Sequence, residues 1–208
     1  MSAALSFIHR FEPATKAGLA PLLLLHGTGG DENDLLSLGH LLSPGAALLS
    51  PRGKVSEGGA PRFFRRLTEG VFDEDDVRRR ADELAGFIRE ARAAYDLPAP
   101  IAIGFSNGAN IAAALLYRQP DALAGAVLLR AMVPLPEAPV RDLAGRDVLI
   151  LSGSMDPIAQ EENAKRLAAT LAEGGGRVTH RILPAGHGLS QADVNISKEW
   201  LGALKQPA

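Results

Sequence analysis

Short apolar runs alternate along the chain with longer stretches in which apolar residues recur every third or fourth position, and no internal repeat or low-complexity tract breaks the alternation. The short runs predict strands at Leu5 to Phe11, Ala20 to Leu25, Ala46 to Ser50, Ala99 to Gly104, Gly125 to Leu129, Asp147 to Leu151 and Val178 to Leu183. Several of them lack a two-residue alternation, as expected of strands covered on both faces. The clearest helical pattern places Val77, Ala81, Leu84, Ile88, Ala91 and Tyr95 on one stripe and Arg78, Arg79, Asp82, Glu83, Arg89 and Glu90 off it, a buried face with a solvated back. Further helices are expected near Asp31 to Leu42, Gly108 to Arg118, Ala159 to Glu173 and Ser190 to Leu204. The last opens with Ser190 and Asp193 at capping-box spacing, and Gly174-Gly175-Gly176 ends the one before it.

Strand followed by helix, repeated, predicts a mostly parallel central sheet with helices on both faces, the first two strands forming an antiparallel edge. Ligands of such sheets bind outside the carboxyl ends of the strands, so chemistry is expected in the loops that follow strands. The length of 208 residues fits a single domain over 1–208, long enough to bury about 70% of the unfolded surface. The chain has no cysteine, which removes disulfides, thiolate-bound metals and a thiol nucleophile. With 22 basic against 24 acidic residues there is no global field to hold nucleic acid or an anionic membrane. The longest apolar run, Leu19 to Leu25, is far short of the roughly 20 residues that span a bilayer, and Glu12 before it with His26-Gly27-Thr28-Gly29-Gly30 after it does not suit a signal peptide. A cytoplasmic protein is expected.

Gly104-Phe105-Ser106-Asn107-Gly108 reads Gly-x-Ser-x-Gly between a predicted strand and a predicted helix, the context of a nucleophile elbow. A serine hydroxyl needs a base to take its proton and a carboxylate to orient that base. Asp156, after the strand at Asp147 to Leu151, and His187, between glycines after the strand at Val178 to Leu183, follow Ser106 in the required order and in the required loops. The competing acids Asp142 and Asp147 precede their strand, and Asp193 lies inside the last helix. Among histidines, His180 falls within a strand, and His9 and His40 fall outside the loops at the active edge. For the developing oxyanion, the amide after the nucleophile, Asn107, and that of Thr28 in the loop 26–30 are the candidate donors. A phosphate cradle is the rival use of that loop, but glycine is missing where Glu32 stands and Asp31 and Asp34 would repel a phosphate. His26 is expected to hydrogen-bond the loop as a structural residue.

With these residues in hand, the chain resembles the α/β-hydrolase superfamily, and within it the small carboxylesterase and phospholipase branch. That branch includes acyl-protein thioesterases and bacterial carboxylesterases associated with hydroquinone stress. The resemblance runs from about Leu22 to Trp200. It rests on His26 to Glu32, Ser50-Pro51-Arg52-Gly53, Gly104 to Ala109, Gly153 with Asp156, and Gly186-His187. It departs at Pro61-Arg62-Phe63-Phe64-Arg65-Arg66, where relatives often carry tryptophan. Dienelactone hydrolases use a cysteine nucleophile, which this chain lacks, and the aspartate-nucleophile dehalogenases and epoxide hydrolases are excluded by Ser106.

The resemblance implies a carboxylesterase that needs no cofactor or metal, acts on a small-molecule ester through an acyl-enzyme, and exists as a monomer or a homodimer. Arg130 to Arg146 is too short a connection for a lid domain. The pocket is expected to be open and walled by Phe63, Phe64, Phe72, Met132, Val133 and Leu135. The segment from Arg52 to Val71 shows few regular features and reads equally as a binding element or a surface excursion. Its Arg62, Arg65 and Arg66 suit an acidic substrate or ordinary solvation. Two rival functions use the same residues: a thioesterase for acyl-protein or acyl-CoA, and a non-catalytic binding protein on a hydrolase fold.

Overall fold

A computed structural model describes residues 5–136 and 142–204. The elements in chain order are β1 (His9–Glu12), β2 (Leu22–Leu25), α1 (Leu36–Leu42), β3 (Leu48–Pro51), β4 (Val55–Glu57), β5 (Ala60–Arg62), β6 (Arg66–Thr68), β7 (Val71–Phe72) and α2 (Glu74–Tyr95). They continue with β8 (Ile101–Phe105), α3 (Asn107–Arg118), β9 (Gly125–Leu129), β10 (Asp147–Gly153), α4 (Glu161–Glu173), β11 (Arg177–Leu183) and α5 (Gln191–Ala203). The main sheet has seven strands in the order β1-β3-β2-β8-β9-β10-β11, parallel throughout except at β1.

One expectation about this sheet is corrected. The antiparallel edge exists, but β1 pairs with β3, His9 opposite Pro51, and not with β2. The reason lies in side-chain chemistry. All four leucines of β2 are at most 1% exposed, so this strand needs neighbours on both sides and helices on both faces. The amphipathic His-Arg-Phe-Glu of β1 suits an edge. Leu23 and Leu25 face a core shared with α2, α3 and α4, while Leu22 and Leu24 face a second core under α1 and α5.

The helices form where patterning and caps agree. The Asp73 side chain accepts from the Asp76 amide at 3.1 Å to start α2, whose first turn holds Glu74, Asp75 and Asp76 at the positive end of the helix dipole. The stripe Val77, Ala81, Leu84, Ile88 and Ala91 is fully buried, and Tyr95 stacks on Phe11 with ring centres 3.9 Å apart. Ser190 and Asp193 form the expected capping box at α5. The helix expected from Asp31 begins only at Leu36, because residues 31–35 are turns.

The segment from Arg52 to Val71 is more regular than its sequence suggested. Gly58 and Gly59, with φ of 58° and 89°, turn β4 onto β5, and Gly70, φ 75°, turns β6 onto β7. Phe63 and Phe64, expected as pocket walls, are instead 3% and 0% exposed and belong to the core beneath these hairpins. Phe63 packs on the His26 ring, and Phe64 meets Phe72 edge-on at 5.1 Å. Two short hairpins bury little surface of their own, so they must be pinned to the sheet by large side chains. Leu135 is likewise core, at 0% exposure. Among the described residues, the connection between β9 and β10 carries no helix, and no large lid covers the sheet edge. Phe64→Ala should therefore lower stability by about 3–5 kcal/mol in urea unfolding. An unchanged unfolding midpoint would contradict the core assignment.

Candidate functional site

Ser106 lies between β8 and α3 with φ 51° and ψ −113°, a conformation that side-chain-bearing residues adopt only when the surroundings enforce it. The flanking glycines show how it is enforced. A Cβ on Gly104 would lie 2.6 Å from the Gly108 carbonyl oxygen and 2.7 Å from the Ala109 Cα, and one on Gly108 would overlap the Leu25 carbonyl. Helix α3 thus descends directly beside the end of β2, and eleven of its residues are buried.

The structure brings Ser106, Asp156 and His187 together from three separate loops. His187 Nε2 is 3.0 Å from Ser106 Oγ, and His187 Nδ1 is 2.8 Å from Asp156 Oδ2. The Asp156 side chain is fully buried, and its other oxygen accepts the amides of Ile158 and Ala159 at 2.8 and 3.0 Å. These bonds fix the carboxylate and leave Oδ2 for the imidazole. A Cβ on Gly153 would overlap the Ala185 carbonyl, so this glycine lets the Asp156 and His187 loops close on each other.

The amides of Thr28 and Asn107 donate to no acceptor among the described residues, and both residues line the cavity at Ser106. The loop carrying Thr28 is held from several sides. Gly29 donates to the Pro61 carbonyl at 3.0 Å, and Glu32 accepts two bonds from Arg52 at 2.5 and 2.7 Å. His26 Nδ1 donates to the Gly27 carbonyl at 2.7 Å, while Nε2 accepts the Gly53 amide at 3.0 Å. The Asn107 side chain accepts the Phe63 amide at 2.7 Å, which ties the hairpin segment to the elbow.

The cavity is about 240 Å³ in volume, and the hairpin segment and both later loops contribute to its lining. Of the expected walls, Met132 and Phe72 line it. Val133 does not: it is 6% exposed, faces a smaller groove beside Asn163, and its amide donates to the Asn163 side chain at 2.6 Å. Phe63, Phe64 and Leu135 are absent from the lining because they are core. The residues missed by sequence reasoning are Phe105, Asn110, Ile158, Ala159 and above all Arg130.

Arg130 is 1% exposed and has φ 57°. Its Nη1 and Nη2 meet Asp193 at 2.7 and 2.9 Å, Nε donates to the Gly186 carbonyl at 2.8 Å, Nη2 to the Gly188 carbonyl at 3.1 Å, and Nη1 to the Leu151 carbonyl at 3.2 Å. One guanidinium therefore grips the backbone on both sides of His187. Nothing near Arg130 in sequence signals this, since its partners around His187 and at Asp193 are more than fifty residues away. Asp193, a weaker candidate for the catalytic acid, is this arginine's counter-ion.

The other candidates lie elsewhere. Asp147 pairs with Arg177 at the opposite edge of the sheet, His180 bonds Ser152 at 2.8 Å, His9 bonds Tyr95 and His40 pairs with Glu12. Among the described residues, no group of three or more His, Asp or Glu side chains is arranged to hold a metal ion, and no helix is long and apolar enough to cross a membrane.

Comparison with known proteins agrees with this fold. The α/β hydrolase fold profile matches residues 20–173. The chain is 45% identical over 194 residues to MhqD of Bacillus subtilis, a protein assigned to the hydrolases, covering 92% of this chain and 96% of MhqD. Its fold superposes on a crystal structure of a Bacillus cereus carboxylesterase with a TM-score of 0.92 and 43% identity, over 95% of this chain and 94% of that one. A carboxylesterase from Mesorhizobium loti matches with a TM-score of 0.91 and 32% identity, covering 97% of each chain. The chain belongs to the α/β-hydrolase fold family.

His26 gives this site a pH signature. Burial pushes its imidazole below the ordinary value, outweighing the opposite pull of the Gly27 carbonyl and of Asp34, Asp31 and Glu32. The unfolded chain therefore binds a proton that the native state refuses. This contribution to stability is complete above the unfolded value and is lost as pH falls from about 6.5 towards the native one. His26→Gln, which has no titrating group, should flatten the dependence of stability on pH below about 6.5. Equal slopes for the two proteins would contradict a buried neutral imidazole.

Proposed function

We propose that the protein is a serine carboxylesterase that hydrolyses small carboxylic esters, acting in the cytoplasm as one domain without cofactor or metal. The observation that carries this reading is the unbroken hydrogen-bonded series from Asp156 through His187 to Ser106. In this reaction His187 Nε2 takes the hydroxyl proton as Ser106 Oγ bonds to the ester carbonyl carbon. The carbonyl electrons move onto oxygen, and the oxyanion accepts the free amides of Thr28 and Asn107. Asp156 holds the Nδ1 proton and stabilises the imidazolium. When the tetrahedral adduct collapses, the ester C–O bond breaks and His187 protonates the departing alkoxide. Water then repeats the sequence on the acyl-enzyme, releasing the acid and restoring Ser106.

Two features support ester hydrolysis over mere binding. Ser106 holds a strained backbone that a receptor has no need of, and two amide donors stand free beside it. The carboxylesterase neighbours support the same choice, and the small cavity favours short acyl chains.

Hydrolysis of p-nitrophenyl esters from acetate to dodecanoate should be fastest at the short end. Ser106→Ala should lose on the order of a million-fold in kcat while remaining folded by circular dichroism. Retained turnover in pure mutant protein would refute the nucleophile, and a kcat/KM for butyryl-CoA above that for butyryl esters would move the reading to a thioesterase.

A further inference from the structure

Arg62 ends β5 and is only 3% exposed, yet it lines the cavity that holds Ser106. Taking a guanidinium out of water is costly unless its charge and its N–H groups are met. Two of its nitrogens are engaged: Nε donates to the Phe64 carbonyl at 3.1 Å and Nη1 to the Thr28 hydroxyl at 2.7 Å. Nη2 donates to no acceptor among the described residues and is not sealed inside the protein, and the residue that carries it lines the cavity.

The charge is met only in part. Glu57 Oε2 lies 3.4 Å from Arg62 Nε, but the same carboxylate takes bonds of 2.9, 3.2 and 2.7 Å from Arg66. One carboxylate thus serves two guanidinium groups, and both line the cavity. The third arginine there, Arg130, is matched by Asp193. Among the described residues Glu69 is the one carboxylate in the lining, and it is exposed to solvent. Apart from the exposed Glu69, these three guanidinium groups share two carboxylates, and the one cation in excess suits an anion that arrives with the substrate.

We propose that Arg62, backed by Arg66, forms a carboxylate-binding subsite beside the catalytic serine, and that the preferred substrate is a short ester bearing a free carboxylate, such as the monoester of a small dicarboxylic acid. This rests on the ester-hydrolase reading of Ser106. The bond from Arg62 to Thr28, whose amide faces the oxyanion, sets the subsite only a few bonds from the scissile carbonyl. The cavity volume of about 240 Å³ limits the chain between the two groups. The overall reaction is the hydrolysis above: the ester C–O bond breaks, water adds across it, and the distal carboxylate is unchanged.

Monoethyl succinate and ethyl levulinate have nearly the same shape and differ in a terminal carboxylate against a methyl ketone. Wild type should show kcat/KM at least about tenfold higher for monoethyl succinate. Arg62→Gln should bring the ratio near one, Arg62→Lys should keep part of it, and Glu69→Gln should raise it. If Arg62 only supports the Thr28 loop, Arg62→Gln slows both esters equally and the ratio persists, which overturns the proposal; so does a wild-type ratio near one.

Calorimetric titration of Ser106→Ala with both compounds reads the subsite without turnover. Tighter binding of monoethyl succinate, lost on adding Arg62→Gln, upholds the subsite even if wild type hydrolyses neither ester, a result that would sink only the esterase reading. Equal binding of the two compounds overturns the subsite.

Discussion

The contact between the first turn of α3 and the end of β2 is the constraint on which the rest of the site depends. Gly108 sits so close to the Leu25 carbonyl that no side chain fits, and this approach drives the chain through the strained turn at Ser106. The same contact brings the residues after β2 beside the elbow, so the free amides of Thr28 and Asn107 come to one place. Ser106 and the two free amides are thus set by one packing event in the middle of the sheet. The strain is maintained by burial of nearly the whole of α3 between β8, β9 and α2.

Around that centre, buried polar contacts hold the loops that packing alone leaves loose. Arg130 and Asp193 form a fully buried pair whose remaining donors meet the backbone around His187. Removing one member of such a pair strands the other's charge, so the arrangement resists partial change. Arg52 with Glu32 and the His26 imidazole do the same for the Thr28 loop, and Asn107 ties the hairpins to the elbow. By contrast, the exposed ladders on α2, such as Arg78 with Glu74 and Asp75, contribute little to stability.

The sheet, its helices and the Ser106, Asp156 and His187 assembly were legible because each is written locally. Apolar runs mark the strands, a three-four stripe marks α2, and Gly-x-Ser-x-Gly marks the turn. What was not legible depends on distance. The pairing of β1 with β3 follows from β2 being buried on both sides, which no local pattern states. The aromatic pair Phe63-Phe64 reads as a pocket wall until the hairpins above it are seen to need anchoring in the core. In sequence Arg62 looks like Arg65 and Arg66 beside it, yet the turn at Gly58-Gly59 brings it under the Thr28 loop. The role of Arg130 is set by carbonyls of the His187 loop that lie far along the chain.

The central claim is that His187 and Asp156 make Ser106 a nucleophile. Reaction of the native protein with an alkyl fluorophosphonate, followed by intact-mass measurement and peptide mapping, tests this without knowledge of the natural ester. One adduct per chain, located on Ser106 and lost in His187→Ala, is the predicted result. No adduct, or one carried by another residue with Ser106 unmodified, would contradict it.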